Sequence, residues 1–224
     1  MVPLPFVDRT EAGRYLAGRL SRYAHRPDVL VLGLPRGGIP VAHEVATMLD
    51  APLDVFVVRK LGVPGHEELA MGAVASGGVR VVNEDVVRQL GLTRQVFDAI
   101  TDEETREVAR RDHEYRMGRP FPTIRGTTVI LIDDGVATGS TMLAAVHALR
   151  EFGPEAIIVA APVMAHDAMR AISRATEEVE YLATPEPFLG VGAHYEDFSQ
   201  TSDEEVRRLL GEVAPQALPE GDRL

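Results

Sequence analysis

"VILIDDGVATGST", residues 129–141, is the stretch from which the rest of the chain can be read. Four apolar residues run directly into two adjacent carboxylates, Asp133 and Asp134. A turn of two glycines, two threonines and a serine follows. A continuous apolar run that ends at turn residues is the pattern of a strand buried on both faces of a parallel sheet. The small residues after it permit a tight turn into a helix, predicted over 140–151.

The same pattern recurs on either side. "DVLVLGL" (28–34) and "PLDVFVVRK" (52–60) precede it, and "EAIIVAAPVM" (155–164) and "VEYLAT" (179–184) follow, with "TTVILID" filling 127–133. Residues 28–34, 52–60 and 127–133 read as buried strands, and 155–164 and 179–184 as a fourth and a fifth strand. Amphipathic helices are predicted over 9–24, 39–50 and 165–175, and a long charged helix from an N-cap at Thr93 to Arg116. "LGVPGHEELAMG" (61–72) is polar and punctuated by Gly and Pro, so it is expected to be a loop, with short strands at "GAVA" and "VRVV" after it. The tail is irregular until a final helix within 202–214.

Strands alternating with helices imply an α/β fold, a Rossmann-like parallel sheet with helices on both faces. The expected organisation is one domain over 1–224, with a core at about 28–184 and a small hood plus C-terminal helix at about 185–215.

Bulk composition narrows the function. The net charge of -11 opposes nonspecific binding to nucleic acid or anionic membranes. With no cysteine, disulfides, thiol catalysis and cysteine metal sites are excluded. No apolar run approaches the ~20 residues of a membrane span, and the N-terminus lacks the order of a secretory signal, so a cytoplasmic location is expected. Lys60 is the only lysine among many arginines. It is either a survivor of compositional drift or a retained functional group.

Ligands of parallel sheets sit beyond the carboxyl ends of the strands. Three unusual stretches fall there: "GLPRGG", "RKLGVPGHEE" and "DDGVATGST". In the last, backbone N–H groups and a helix N-terminus favour a phosphate at Ala137, Thr138, Gly139, Ser140 and Thr141. Asp133 and Asp134 would repel that phosphate, so their partners are sugar hydroxyls or a divalent cation carried by a polyphosphate. A phosphate beside a vicinal diol describes a ribose 5-phosphate. A Walker P-loop is excluded because Gly139 is followed by Ser140 rather than lysine. A receiver domain would need a lysine after a later strand, and Lys60 precedes the acids.

This stretch resembles the phosphoribosyl-diphosphate (PRPP) signature of the type I phosphoribosyltransferases, and the wider resemblance runs over about 28–164. It implies that Asp133 and Asp134 hold the ribose hydroxyls while residues 137–141 hold the 5-phosphate. "LPRGG" would be the pyrophosphate loop, often with a non-proline cis peptide, where Arg36 and the Gly37 amide meet the diphosphate. Arg59 and Lys60 would end the second strand as neutralising cations, with Arg36 and Lys60 catalytic. Residues 61–71 would form a lid and 185–198 the hood, where Phe188 stacks on a base and Tyr195 and Asp197 offer hydrogen bonds. Mg²⁺ would be bound mainly through PRPP.

The implied enzyme is a pentosyl-transferring glycosyltransferase whose partners are PRPP and a nitrogenous base. No nucleic acid or membrane is involved, and a homodimer is left open. In the hypoxanthine-guanine branch a third acid precedes the Thr-Gly pair. This chain has Ala137 there, as do adenine, uracil and orotate enzymes. The rival expectation is a regulator that keeps the fold and senses PRPP or a nucleotide without turnover.

Overall fold

The computed structural model describes residues 4–63, 66–89 and 94–213, with the side chains of 66–70 and 94–96 left aside. Five strands form a parallel sheet: β1 (Val29–Gly33), β2 (Leu53–Val55), β6 (Thr128–Ile132), β7 (Ala156–Val163) and β8 (Glu178–Ala183), in the order β2-β1-β6-β7-β8. The runs of β1, β6 and β7 are continuously apolar because both faces are covered. Val29, Val31, Ile130, Ile132, Ile158 and Ala160 face one core layer, packed with α1 (Arg9–Arg19), α2 (Gly38–Leu49) and the last helix α7 (Asp203–Glu212). Their neighbours Leu30, Leu32, Val129, Leu131, Ile157 and Val159 face the other, packed with α5 (Ser140–Arg150) and α6 (His166–Ile172). That period of two places helices on both sides of the sheet, as expected from the sequence.

Local chemistry sets the helix ends. Asp8 caps α1 by accepting the Glu11 N–H at 2.8 Å, and Ser202 caps α7 by accepting that of Glu205 at 3.1 Å. The helix expected over 9–24 stops at Arg19, and a short 3-10 turn (Ser21–Tyr23) replaces its end. The N-cap expected at Thr93 for α4 (Arg94–Arg116) lies outside the described residues.

Two expectations are corrected. The segment 52–60 is two strands, not one. The Phe56 N–H still donates to Gly33 O at 3.0 Å, but the Val57 N–H turns to Ser76 Oγ at 2.7 Å. Ser76 in turn donates to Asp112 of α4 at 2.6 Å. The chain therefore leaves the parallel sheet and enters β3 (Val58–Val63), which carries Arg59 and Lys60. Residues 61–63 and 66–72, expected to lie in a loop, are strands instead. β3 pairs antiparallel with β4 (His66–Ala75), and β5 (Val79–Val82) completes a three-stranded sheet, followed by the unforeseen helix α3 (Glu84–Gln89). Leu61, Val63 and Met71 are buried and anchor this hairpin, which the glycines and prolines disguised. At Gly72 a side chain has no room, since a Cβ would lie 2.3 Å from Val81 O.

The helix α4, which packs on the small sheet, is tied to the parallel sheet through a buried ion pair. Arg116 on α4 donates from Nε to Asp54 Oδ1 of β2 at 3.0 Å and pairs with Asp112 at 2.7 Å. Burial pushes the Asp54 carboxyl up and the guanidinium pulls it back. Removing one partner of such a pair costs about 3–5 kcal/mol because the other charge is left unmatched. Arg116→Met is expected to lose that much in urea unfolding, and Asp54→Asn in the same background to recover part of it. A loss below about 1 kcal/mol, the range of exposed pairs, would show that water reaches Asp54.

Candidate functional site

Strand order reverses between β1 and β6, whose Gly33 and Ile132 are paired partners. The loops leaving these two strands therefore emerge side by side and open the crevice where such sheets bind ligands. Leu34 N–H donates to Ile132 O at 2.8 Å, so the first loop starts against the second. The Pro35–Arg36 peptide is cis, as the resemblance implied. Gly37 then lies on the acid pair: a Cβ there would fall 2.0 Å from Asp134 Oδ2. At Gly38 it would fall 2.7 Å from Ile132 O and 2.9 Å from Asp133 Cα. Both glycines are needed for that approach.

The acids leave one oxygen each. Asp133 Oδ1 accepts the Asp134 N–H at 2.9 Å, and Asp134 Oδ2 accepts Arg9 Nε–H at 2.8 Å. Among the described residues, Asp133 Oδ2 and Asp134 Oδ1 have no hydrogen-bond partner. Beyond them, Gly139 adopts a left-handed φ of 76° and starts α5. The N–H groups of Ala137, Thr138, Gly139 and Thr141 donate to nothing among the described residues, while Ser140 N–H makes only a long 3.4 Å contact with Thr138 Oγ1. Ala137, Thr138, Ser140 and Thr141 are exposed. Free amides at a helix start are an anion cradle.

Other expected residues are placed with more constraint. Arg36 extends toward Asp203, at the start of α7, with 3.7 Å between Nη1 and Oδ1. Asp203 also accepts the Tyr115 hydroxyl at 2.7 Å, and burial with this contact pushes Tyr115 up to about 12. Arg59 is bidentate to Glu104 of α4, at 2.7 and 3.2 Å. Alternation along β3 points Lys60 to the opposite face from Arg59, and no ion pair engages it among the described residues. A cavity of about 310 Å³ between α4 and the small sheet lies apart from this crevice, with Arg116 and Asp112 in its wall.

In the hood, Tyr195 is buried, and its hydroxyl donates to Asp134 O at 2.5 Å. Its ring lies between Phe6 and Phe198, with centroids 5.5 and 5.1 Å away. Phe188 packs on His194 at 5.2 Å, and Asp197 is exposed and accepts the Ser199 N–H at 2.8 Å. Val191 closes onto the acid loop, so a Cβ at Gly135 would meet its side chain at 2.4 Å. Sequence reasoning missed Arg9 and Asp203, because nothing local to either residue signals a partner so distant in the chain.

Burial pushes both acids up, and the Asp134 charge pushes Asp133 up further, while Arg9 pulls both back down. A carboxyl raised by folding favours the fold while protonated. That contribution is lost as pH rises through the raised value. Asp133→Asn keeps the acceptor for the Asp134 N–H and removes the charge. Its melting midpoint is expected to exceed that of the unaltered protein at about pH 8 and to converge with it near about pH 4, where an ordinary carboxyl protonates. A midpoint at or below the unaltered one at the higher pH would contradict the raised acid.

The sequence pattern of the phosphoribosyl transferase domain matches residues 9–181. Over 205 residues the chain is 47% identical to the Mycobacterium tuberculosis protein named "Putative phosphoribosyl transferase Rv0571c", covering 92% of this chain and 46% of that one. The chain thus spans about half the length of this relative. The crystal structure of TT1426 from Thermus thermophilus superposes with a TM-score of 0.84 at 39% identity, over 94% of this chain and 100% of that one. The family match begins at Arg9 and ends inside β8, so it takes in both loops of the crevice and the acid pair between them. The chain belongs to the phosphoribosyl transferase family.

Proposed function

We propose that this chain transfers ribose 5-phosphate from PRPP to a nitrogenous base and releases pyrophosphate. One observation carries the reading: two acids with one free oxygen each stand beside a loop of unpaired amides at a helix start. A ribose 5-phosphate presents the complementary groups, two vicinal hydroxyls and a phosphate. Asp133 and Asp134 would accept from the hydroxyls, and residues 137–141 would hold the phosphate.

At the anomeric carbon the bond to the diphosphate breaks as the base nitrogen approaches, so positive charge builds on the sugar and negative charge on the leaving group. Arg36, Lys60 and the Gly37 amide would stabilise the departing diphosphate. Among the described residues, no group of three or more His, Asp or Glu side chains is placed to hold a metal. Mg²⁺ would be bound mainly through PRPP and would supply charge neutralisation on the departing diphosphate. The β3–β4 hairpin would stand in for the expected lid and exclude water from the donor.

A sensor that binds PRPP without turnover is the second reading. It is favoured by Arg36 and Arg59, which both face carboxylates, Asp203 and Glu104. Incubating the protein with PRPP, Mg²⁺ and a panel of bases, and measuring pyrophosphate, separates the two. Base-dependent release supports the enzyme, and tight PRPP binding with no release supports the sensor.

Asp133→Ala with Asp134→Ala is expected to weaken PRPP binding by about a hundredfold or more, since each charge-assisted hydrogen bond contributes about 1.5–3 kcal/mol. Calorimetry giving unchanged affinity would remove the acids from the donor site. Ala137 can neither take a proton nor accept a hydrogen bond through its side chain. Hypoxanthine and guanine are accordingly expected to be poor acceptors, and efficient turnover of either would strip Ala137 of that meaning.

A further inference from the structure

Resting on the donor-site reading above, we infer that Arg9 is a positioning residue of that site: it fixes the Asp134 carboxylate so that Oδ1 remains the acceptor for a sugar hydroxyl. Arg9 opens α1 and stands 125 positions from Asp134 in sequence. Its Nε–H donates to Oδ2 at 2.8 Å, and the two side chains are only 11% and 13% exposed. Arg9 is itself held on two further sides. Nη1–H donates to Ser199 O at 2.8 Å, and the guanidinium lies 3.9 Å from the centre of the Phe198 ring. From the other side, the Tyr195 hydroxyl donates to the Asp134 backbone oxygen at 2.5 Å. Thus α1 and the hood segment 195–199 grip one acid of the pair and leave the other ungripped.

The charge balance gives this grip its purpose. Asp133 and Asp134 are adjacent, half-buried and next to a loop suited to a phosphate. Asp197 also faces Arg9 but is exposed to solvent. Without Arg9, the Asp134 carboxylate would be free to rotate, and either oxygen could turn toward the ligand. With it, the guanidinium pulls the Asp134 carboxyl down against the upward push of burial, and Oδ2 is occupied, which fixes which oxygen can meet the ligand. Gly37 presses on the same Oδ2, so the carboxylate is bounded by backbone on one side and guanidinium on the other.

Isothermal calorimetry with two probes, ribose 5-phosphate and inorganic phosphate, tests this on the full chain. Ribose 5-phosphate reads the acids and the loop together, whereas inorganic phosphate reads the loop alone. Arg9→Met is expected to weaken ribose 5-phosphate about tenfold, the effect of one charge-assisted hydrogen bond, and to leave inorganic phosphate unchanged. Arg9→Lys keeps the charge without the planar fork, so a smaller loss of about threefold, again confined to ribose 5-phosphate, is expected even where the methionine variant fails to fold. Undiminished ribose 5-phosphate binding in either variant overturns the role, and so does a parallel loss of both probes. Unaltered protein that binds ribose 5-phosphate no better than inorganic phosphate would show that the acids hold no sugar. That result removes the donor-site reading and this role with it, before any variant is compared.

Discussion

The contact between Gly37 and the Asp134 carboxylate constrains the rest of the molecule. A carboxylate oxygen occupies the space where any side chain at position 37 would begin. Such an approach demands that the loops after β1 and β6 leave adjacent strands at matched height, which the Gly33–Ile132 register provides. It also demands glycine at 37 and 38, and a sheet rigid enough to hold the loops together. The two buried faces of that sheet, filled by alternating Val, Ile and Leu, supply the rigidity.

Bringing two acids this close to backbone is unfavourable in isolation, and the surroundings show how the cost is limited. One carboxylate is matched by Arg9, and the other receives only the neighbouring N–H. The backbone of Asp134 is held by Tyr195, whose own hydroxyl is kept protonated by burial. A fold optimised for stability alone would place apolar groups here. Acids that a fold pushes up in this way are a common feature of functional sites.

Much of the fold was legible because its signals are local. Continuous apolar runs mark β1, β6 and β7, and the small residues after Asp134 mark the turn into α5. The division of 52–60 was hidden because it depends on Ser76 and Asp112, which hold the Val57 N–H from distant segments. The hairpin was hidden because Gly62 and Gly72 read as breakers, whereas Gly72 is there to let Val81 pass close by. Within the site, the acids and amides could be read in one stretch of sequence. Tyr195 was visible as a hood aromatic, but its engagement with Asp134 was not, since a hydroxyl's partner 61 residues away has no local signature.

The division at Val57 carries a further consequence for the cations. In a single strand, Arg59 and Lys60 would project from the same rigid sheet as the acids. Instead they stand on a separate antiparallel sheet, packed against α4 and α5. Arg59 is drawn to α4 by Glu104, while alternation sends Lys60 to the other face, the one its neighbour Val58 shares with the core layer of α5. The pairing of Arg59 with Glu104 and the absence of an ion pair at Lys60 among the described residues thus separate two adjacent basic residues by their surroundings. One ties the small sheet to its helix, and the other stands on the opposite face of β3.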